Sequence, residues 1–493
     1  MKQTKFLIAA AVSGLLTCGA AMAQFRTDTV VVPVQDTSKV ILTLDKALEI
    51  ALSENVAVKV ADKEIERAKY ARKGTYASLF PTVDATGSYQ RTIKKQVMYM
   101  DFDMSSMMPG GGGDSGEGTE SASAGRSASG SGIEVGRWNT FNGGITASMP
   151  VINAALWESI AISGDAVELA VEQARSSRLE MVSQVKQAYY AVLLAKEAFG
   201  VYKEVYENAV DNFGQTEKKY KVSKASELEY VRAKANVANA IPNVYNAESQ
   251  VILALWQLKA VMGIDLDSNI DVAETLGDYP VMMMRGVIAG GEADLDNNTT
   301  MRQLAIQAEQ LAKTVKAKQF AYLPTLGVSF NYSMNAMTND FNFSEYRWTP
   351  YSSVGFSLSI PIFSGGKRLN DVRQAKVQKA ELELQRVDTE RKLKISIRQS
   401  LTTMETSMKS WYAADEAVQM AQKAYDISAK SYNVGKSTLT DLNDAQLALT
   451  QAQLSRSQAV YNYLVAKTGL EQTLGYDFLD ADGNPDLTGG YSE

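Results

Sequence analysis

The chain has 493 residues, 50 Lys+Arg against 56 Asp+Glu, no histidine and a single cysteine, Cys18. The missing histidines exclude an imidazole base, a His-based triad and a His metal site. Beyond Cys18 there is no thiol for a disulfide, a zinc site or a nucleophile, and a formal charge of −6 argues against a nucleic-acid groove.

Residues 1–23, MKQTKFLIAAAVSGLLTCGAAMA, read as a secretory signal peptide. Lys2 and Lys5 form its positive end, and Phe6 to Leu16 an apolar stretch too short for a permanent span. Ala21-Met22-Ala23 offers small residues to a signal peptidase. Leu15-Leu16-Thr17-Cys18 also resembles a lipobox, with Thr17 where a small residue is usual. Cys18 is therefore read either as removed with the leader or as lipidated. Residues 24–41 form an N-terminal extension. No later stretch is long and apolar enough for a membrane-spanning helix.

The rest is written twice. The first repeat covers 42–265 and the second 298–477, with a linker at 266–297 and a tail at 478–493. Pro81 and Pro324 each end a helical pattern and open a strand pattern, 243 residues apart. Pro150 and Pro361 each end a strand, 211 apart. Tyr220 and Tyr432, like Gly263 and Gly475, are 212 apart. The offset drops by 32 because the first copy carries extra material in its 101–137 loop, where 107–132 read MMPGGGGDSGEGTESASAGRSASGSG.

Each copy reads helix, strand, loop, strand, very long helix, turn, long helix. The strands alternate cleanly. Leu326, Val328, Phe330, Tyr332 and Met334 interleave with Gly327, Ser329, Asn331, Ser333 and Asn335. The same holds around Val83, Ile145 and Phe356. A soluble sandwich would alternate too. Strand lengths near 9–10 residues and a face of small Ser, Thr, Asn and Gly favour a membrane barrel with a wet lumen. Four strands cannot close one, so the pattern implies an oligomer. The helical patterns at about 153–213 and 367–431 would each run roughly 90 Å or more. A fibrous coiled coil explains those rods but not the strands.

The repeat, with Pro-Ile-Phe-Ser-Gly-Gly-Lys at 361–367 and Tyr-Asn-Val-Gly-Lys-Ser-Thr at 432–438, resembles the TolC family of outer membrane efflux proteins. The resemblance implies an α+β membrane protein. A trimeric 12-stranded β-barrel, four strands per chain, would continue into a long α-helical coiled-coil barrel in the periplasm. It implies an exit duct of a tripartite efflux system, with no active site and no cofactor. Its partners would be two further copies of the chain, outer-membrane lipid, a periplasmic adaptor and an inner-membrane pump, and no nucleic acid. Type I protein secretion, or a structural role in the envelope, are the alternatives. A carboxylate glycosidase fits worst, because no Asp/Glu pair stands out.

The turns at 214–224 and 427–437 would be the tips that meet the adaptor. They carry Tyr220, Val222 and Ser223, matched by Tyr432, Val434 and Gly435. The tunnel's narrowest point would lie beside them, ringed by Asp426 and, one or two turns before its own tip, Asp211. Three residues before Tyr432, where the family has a second acid, this chain has Ala429. Both aspartates read equally as ordinary solvated positions. Met98, Met100, Met104, Met107 and Met108, with Met282 to Met284, read as a packing cluster or as a path for soft metal ions. Residues 107–132 are poor in apolar side chains and have no counterpart in the second copy, so their deletion should leave oligomer assembly unchanged on a native gel. Loss of assembly would make the loop structural.

Overall fold

A computed structural model describes residues 39–98, 133–280 and 295–476. The leader with Cys18, most of the extension, the methionine-rich loop beyond Met98, Met282 to Met284 and the 478–493 tail lie outside the described residues.

A short strand β1 (Val40–Leu42) leads into α1 (Leu44–Glu54) and α2 (Val56–Ala77). Strands β2 (Thr82–Arg91), β3 (Gln96–Met98), β4 (Ile133–Val135) and β5 (Asn139–Ile152) follow, then α3 (Ala154–Lys221) and α4 (Glu227–Met262). After β6 (Ile270–Val272) the second copy runs α5 (Thr299–Phe320), β7 (Thr325–Thr338), β8 (Thr349–Ser359), α6 (Lys367–Asn433) and α7 (Leu439–Leu474). The strands are longer than the alternation alone marks out. The long helices also run further than expected, to Lys221 and Asn433. At 68 and 67 residues they are each about 100 Å.

Strands β2, β5, β7 and β8 form one antiparallel sheet in that order. Their register sorts the side chains onto two faces, as the period of two demands. Val83, Ala147, Phe330 and Val354 lie in one cross-strand row, and Ala85, Ile145, Tyr332 and Ser352 in the next. The other face carries rows such as Asp84, Thr146, Asn331 and Ser353. The apolar face is not covered: Val83, Phe330, Val354, Phe356 and Leu358 are all exposed. Aromatic rings gather at the loop end, where Phe141 lies 4.8 Å from Tyr89 and 5.4 Å from Tyr346. β3 and β4 pair separately at the base of the long loop.

The main core lies around the middle of α3. Tyr189, Val192 and Leu193 are buried there against Leu48 and Ala51 of α1, Leu258 and Met262 of α4, and Val460 and Tyr463 of α7. Part of the linker joins them. β6 pairs in parallel with β1, Ile270 and Val272 face the core, and the Tyr189 hydroxyl donates to the Leu42 carbonyl at 3.1 Å. Beside this ladder burial pushes the Asp271 carboxyl up. Bonds from Lys196 (2.8 Å) and Lys39 (2.7 Å) outweigh that and hold it at about 2.

One clasp is made twice. Asn55 separates α1 from α2; its Oδ1 accepts from Ala57 N–H and its Nδ2 donates to the Val261 carbonyl at 2.7 Å. In the second copy Asn298 caps α5 through Met301 N–H and donates to the Thr473 carbonyl at 2.6 Å. Each carbonyl sits two residues before a left-handed C-capping glycine, Gly263 (φ 76°) or Gly475 (φ 71°). Both glycines also touch backbone. A Cβ on Gly263 would sit 3.0 Å from Asn55 Cα, and one on Gly475 would overlap the Asn297 carbonyl. Gly435 shares the positive φ, at 79°, but a Cβ there meets nothing within 4 Å. Gly435→Ala should therefore cost about 1 kcal/mol of left-handed strain. Gly475→Ala should cost roughly 3 kcal/mol or more, since backbone must also move. Denaturant unfolding of the two variants side by side checks the difference.

Candidate functional site: the paired helical tips and their acidic neighbours

The two hairpin ends close by the same chemistry. At the end of α3, Ser223 takes φ 57°, the one non-glycine with positive φ among the described residues, and Lys224 N–H donates to the Lys219 carbonyl at 2.7 Å. At the end of α6, Gly435 takes the left-handed position and Lys436 N–H donates to the Ser431 carbonyl at 2.8 Å. The next helices open with reciprocal caps. Ser226 accepts from Glu229 N–H while Glu229 bonds Ser226 N–H, and Thr438 and Asp441 do the same. The matching of Ser223 with Gly435 holds in backbone conformation. The turns are tighter than the ranges 214–224 and 427–437: residues 214–221 and 427–433 are the last helical turns.

The six tip residues divide by exposure. Val222 and Val434 project at the very ends, 62% and 69% exposed. Tyr220 and Tyr432, repeat equivalents, differ. Tyr220 is partly exposed and stacks on Tyr230, ring centres 5.0 Å apart. Tyr432 is buried with Ala233, Leu439 and Leu442, and Phe213, Tyr425 and Ala429 pack around them. An acid in place of Ala429 would enter that apolar cluster.

Tyr432 joins the two hairpins. Its hydroxyl lies 2.7 Å from Thr216 Oγ1. Thr216 spends its own proton on the Asn212 carbonyl, so Tyr432 is the donor. Lys219 Nζ donates to the Tyr432 carbonyl at 3.2 Å and lies 4.6 Å from the centre of its ring. Sequence reasoning missed Thr216 and Lys219, whose repeat counterparts are Ser428 and Ser431. The signature of both caps, Ser/Thr-x-x-Asp/Glu at 226–229 and 438–441, was there to be read.

Asp426 lies two turns before the end of α6, and its carboxylate accepts from Gln422 at 3.0 Å. Asp211 sits almost three turns before the end of α3, further from its tip than the expected one or two. Both are exposed. They are not repeat equivalents. The Tyr425 hydroxyl is pushed up by burial and then by the carboxylates of Glu204, Asp426 and Asp211. Among the described residues no group of His, Cys, Asp or Glu could hold a metal ion, and no helix is long and apolar enough to cross a membrane.

The family model described as outer membrane efflux protein matches residues 47–264 and 292–476. The chain belongs to the outer membrane efflux protein family. It is 22% identical over 349 residues to the outer membrane protein TolC of Escherichia coli, covering 68% of this chain and 70% of that one. It is 24% identical over 304 residues to the alkaline protease secretion protein AprF of Pseudomonas aeruginosa, covering 60% and 62%. Its fold matches the crystal structure of the CmeC outer membrane channel of Campylobacter jejuni with a TM-score of 0.65 at 19% identity, over 88% of this chain and 85% of that one.

The resemblance read from the motifs therefore stands, and with it the fold class. The four strands are one third of a trimeric 12-stranded barrel that continues into a helical coiled-coil barrel. As a family member the protein is an outer-membrane exit duct whose helices extend into the periplasm. Efflux proteins of this family are channels, in keeping with the non-catalytic reading. Tyr432→Phe should cost about 1 kcal/mol in denaturant unfolding by removing the bond to Thr216. Tyr220→Phe, at the exposed counterpart, should change stability by less than about 0.5 kcal/mol.

Proposed function

We propose that this duct works with a periplasmic adaptor docked on its helical tips and an inner-membrane pump that supplies the energy. The observation that carries the duct itself is the two-faced sheet, apolar outside and small and polar inside. A wall with lipid on one side and water on the other needs that arrangement. The adaptor reading is supported by Val222 and Val434, left exposed on turns whose own backbone groups are already capped. An apolar pair on a rigid, self-satisfied turn suits a protein partner. Tyr220, Ser223 and Gly435 complete that contact surface, with Tyr432 holding the two tips in one piece.

The constriction is assigned to Asp426 and Asp211. In a trimer each becomes three carboxylates around one axis, which favours cations over anions. Asp426 lies two turns and Asp211 almost three turns before the end of its helix, which supports placing both near one level. The similarity to a protease secretion protein supports a second reading, in which the cargo is an exported protein and the same duct serves type I secretion.

Single-channel recording in planar bilayers tests the constriction. Asp426→Asn should lower cation preference and weaken block by multivalent cations added from the periplasmic side. An unchanged preference in both Asp426→Asn and Asp211→Asn puts the narrow point elsewhere. For the tips, Gly435→Trp should abolish efflux while trimer level stays constant on a native gel; transport that survives the change removes the tip from the contact.

A further inference from the structure

The middle of α7 is nearly free of charge. Residues 445–466 hold one charged side chain, Arg456, and it pairs with Asp415 of α6 at 3.4 Å. Between Arg398 and Asp415 the only charges on α6 are Glu405 and Lys409, which pair with each other at 2.6 Å. Beside these helices, and reaching Tyr202 of α3, runs a groove of about 870 Å³. None of the described residues that line it is charged. Pockets that hold small ligands usually measure about 300–1,000 Å³.

The helix period decides which way the groove faces. On α7, Arg456, Ser457 and Val460 line a separate hollow with Leu276, Gly277 and Pro280 of the linker. At about 100° per residue, Leu447, Gln451, Ser455 and Gln458 of the groove lie roughly half a turn around α7 from them. A duct keeps its bore clear of the linker. The linker side is therefore the outer wall, and the groove opens to the bore. α7 packs on both α6 and α3 of its own chain, so joints between copies do not cover it. Thr406 in the groove lies 20 residues before Asp426 on the same helix, which sets it about 30 Å further from the tips.

Resting on the duct reading, we infer that this groove is a binding station for an uncharged, polyhydroxylated cargo of the oligosaccharide class. Thr406, Ser410, Gln451 and Ser455 are exposed and have no hydrogen-bond partner among the described residues. Their hydroxyls and amides both donate and accept, as sugar hydroxyls do. Tyr202 and the 65% exposed Leu447 offer apolar surface to the C–H face of a sugar ring. An anion would find no Lys or Arg in the lining, and a cation no carboxylate. A wholly apolar molecule would leave the hydroxyls and amides unpaired. Facing the bore, the groove meets what passes through the duct and not a glycan of the envelope outside it.

Single-channel recording of the full chain in planar bilayers tests this, with maltohexaose as the probe. Added on the barrel side, the sugar reaches the groove without passing Asp426. A polyethylene glycol of the same hydrodynamic size controls for plain obstruction. Current blocks by maltohexaose should last several-fold longer than those by the polymer. Gln451→Ala and Thr406→Val, both at exposed positions, should keep the open conductance and shorten the sugar blocks several-fold. Sugar blocks no longer than the polymer's overturn the inference, whether or not the variants form channels. Long blocks that neither variant shortens overturn it too. Cation preference in the same records reports on Asp426 separately, so the constriction can fail while the groove stands. A wild-type chain that forms no channel overturns the duct reading and this inference together.

Discussion

An unpaired strand edge in hydrocarbon is the constraint that organises this molecule. Each backbone amide or carbonyl left without a partner there costs several kcal/mol. A sheet in the order β2, β5, β7, β8 has two such edges, and its exposed apolar face leaves it nowhere else to be stable. Its opposite face is lined by Ser, Thr, Asn and Gly and is compatible only with water. A sheet that needs lipid on one side, water on the other and no free edge has to close on copies of itself.

Closure by identical parts explains the duplication that runs through the rest of the chain. Each strand pair runs on into a rod of about 100 Å, and each rod returns to a clasp of one asparagine and one glycine. The clasp matters because a rod that long has little to fix its return. Asn55 and Asn298 each bind both a new helix and the end of an old one. The glycines beside them let the backbones approach where any side chain would intrude.

The copies part company where the two hairpins meet. Tyr220 and Tyr432 occupy the same repeat position, yet only Tyr432 is buried and bonded to Thr216 and Lys219. A chain with one internal joint and one external joint has two different surroundings for equivalent residues. Lys219 has Ser431 as its counterpart, so the lysine bridge is made once. Asp211 and Asp426 are likewise unmatched in the repeat.

What the sequence determined by itself is whatever depends on near neighbours or on comparing the chain with itself. The period of two in β7, the unbroken helical patterns, the matched offsets and the left-handed turn shared by Ser223 and Gly435 are all of this kind. Local sterics and patterning decide them within a few residues. The tertiary structure alone decided the break at Asn55, inside what reads as one helical pattern before Pro81. It also decided the ladder of β1 with β6, three residues on each strand, and the burial of Tyr432 rather than Tyr220. Each of these rests on a partner some 200 residues away: Val261 for Asn55, Ile270 to Val272 for β1, Thr216 for Tyr432. A short segment carries no mark of a hydrogen bond whose other half is made by a distant part of the chain.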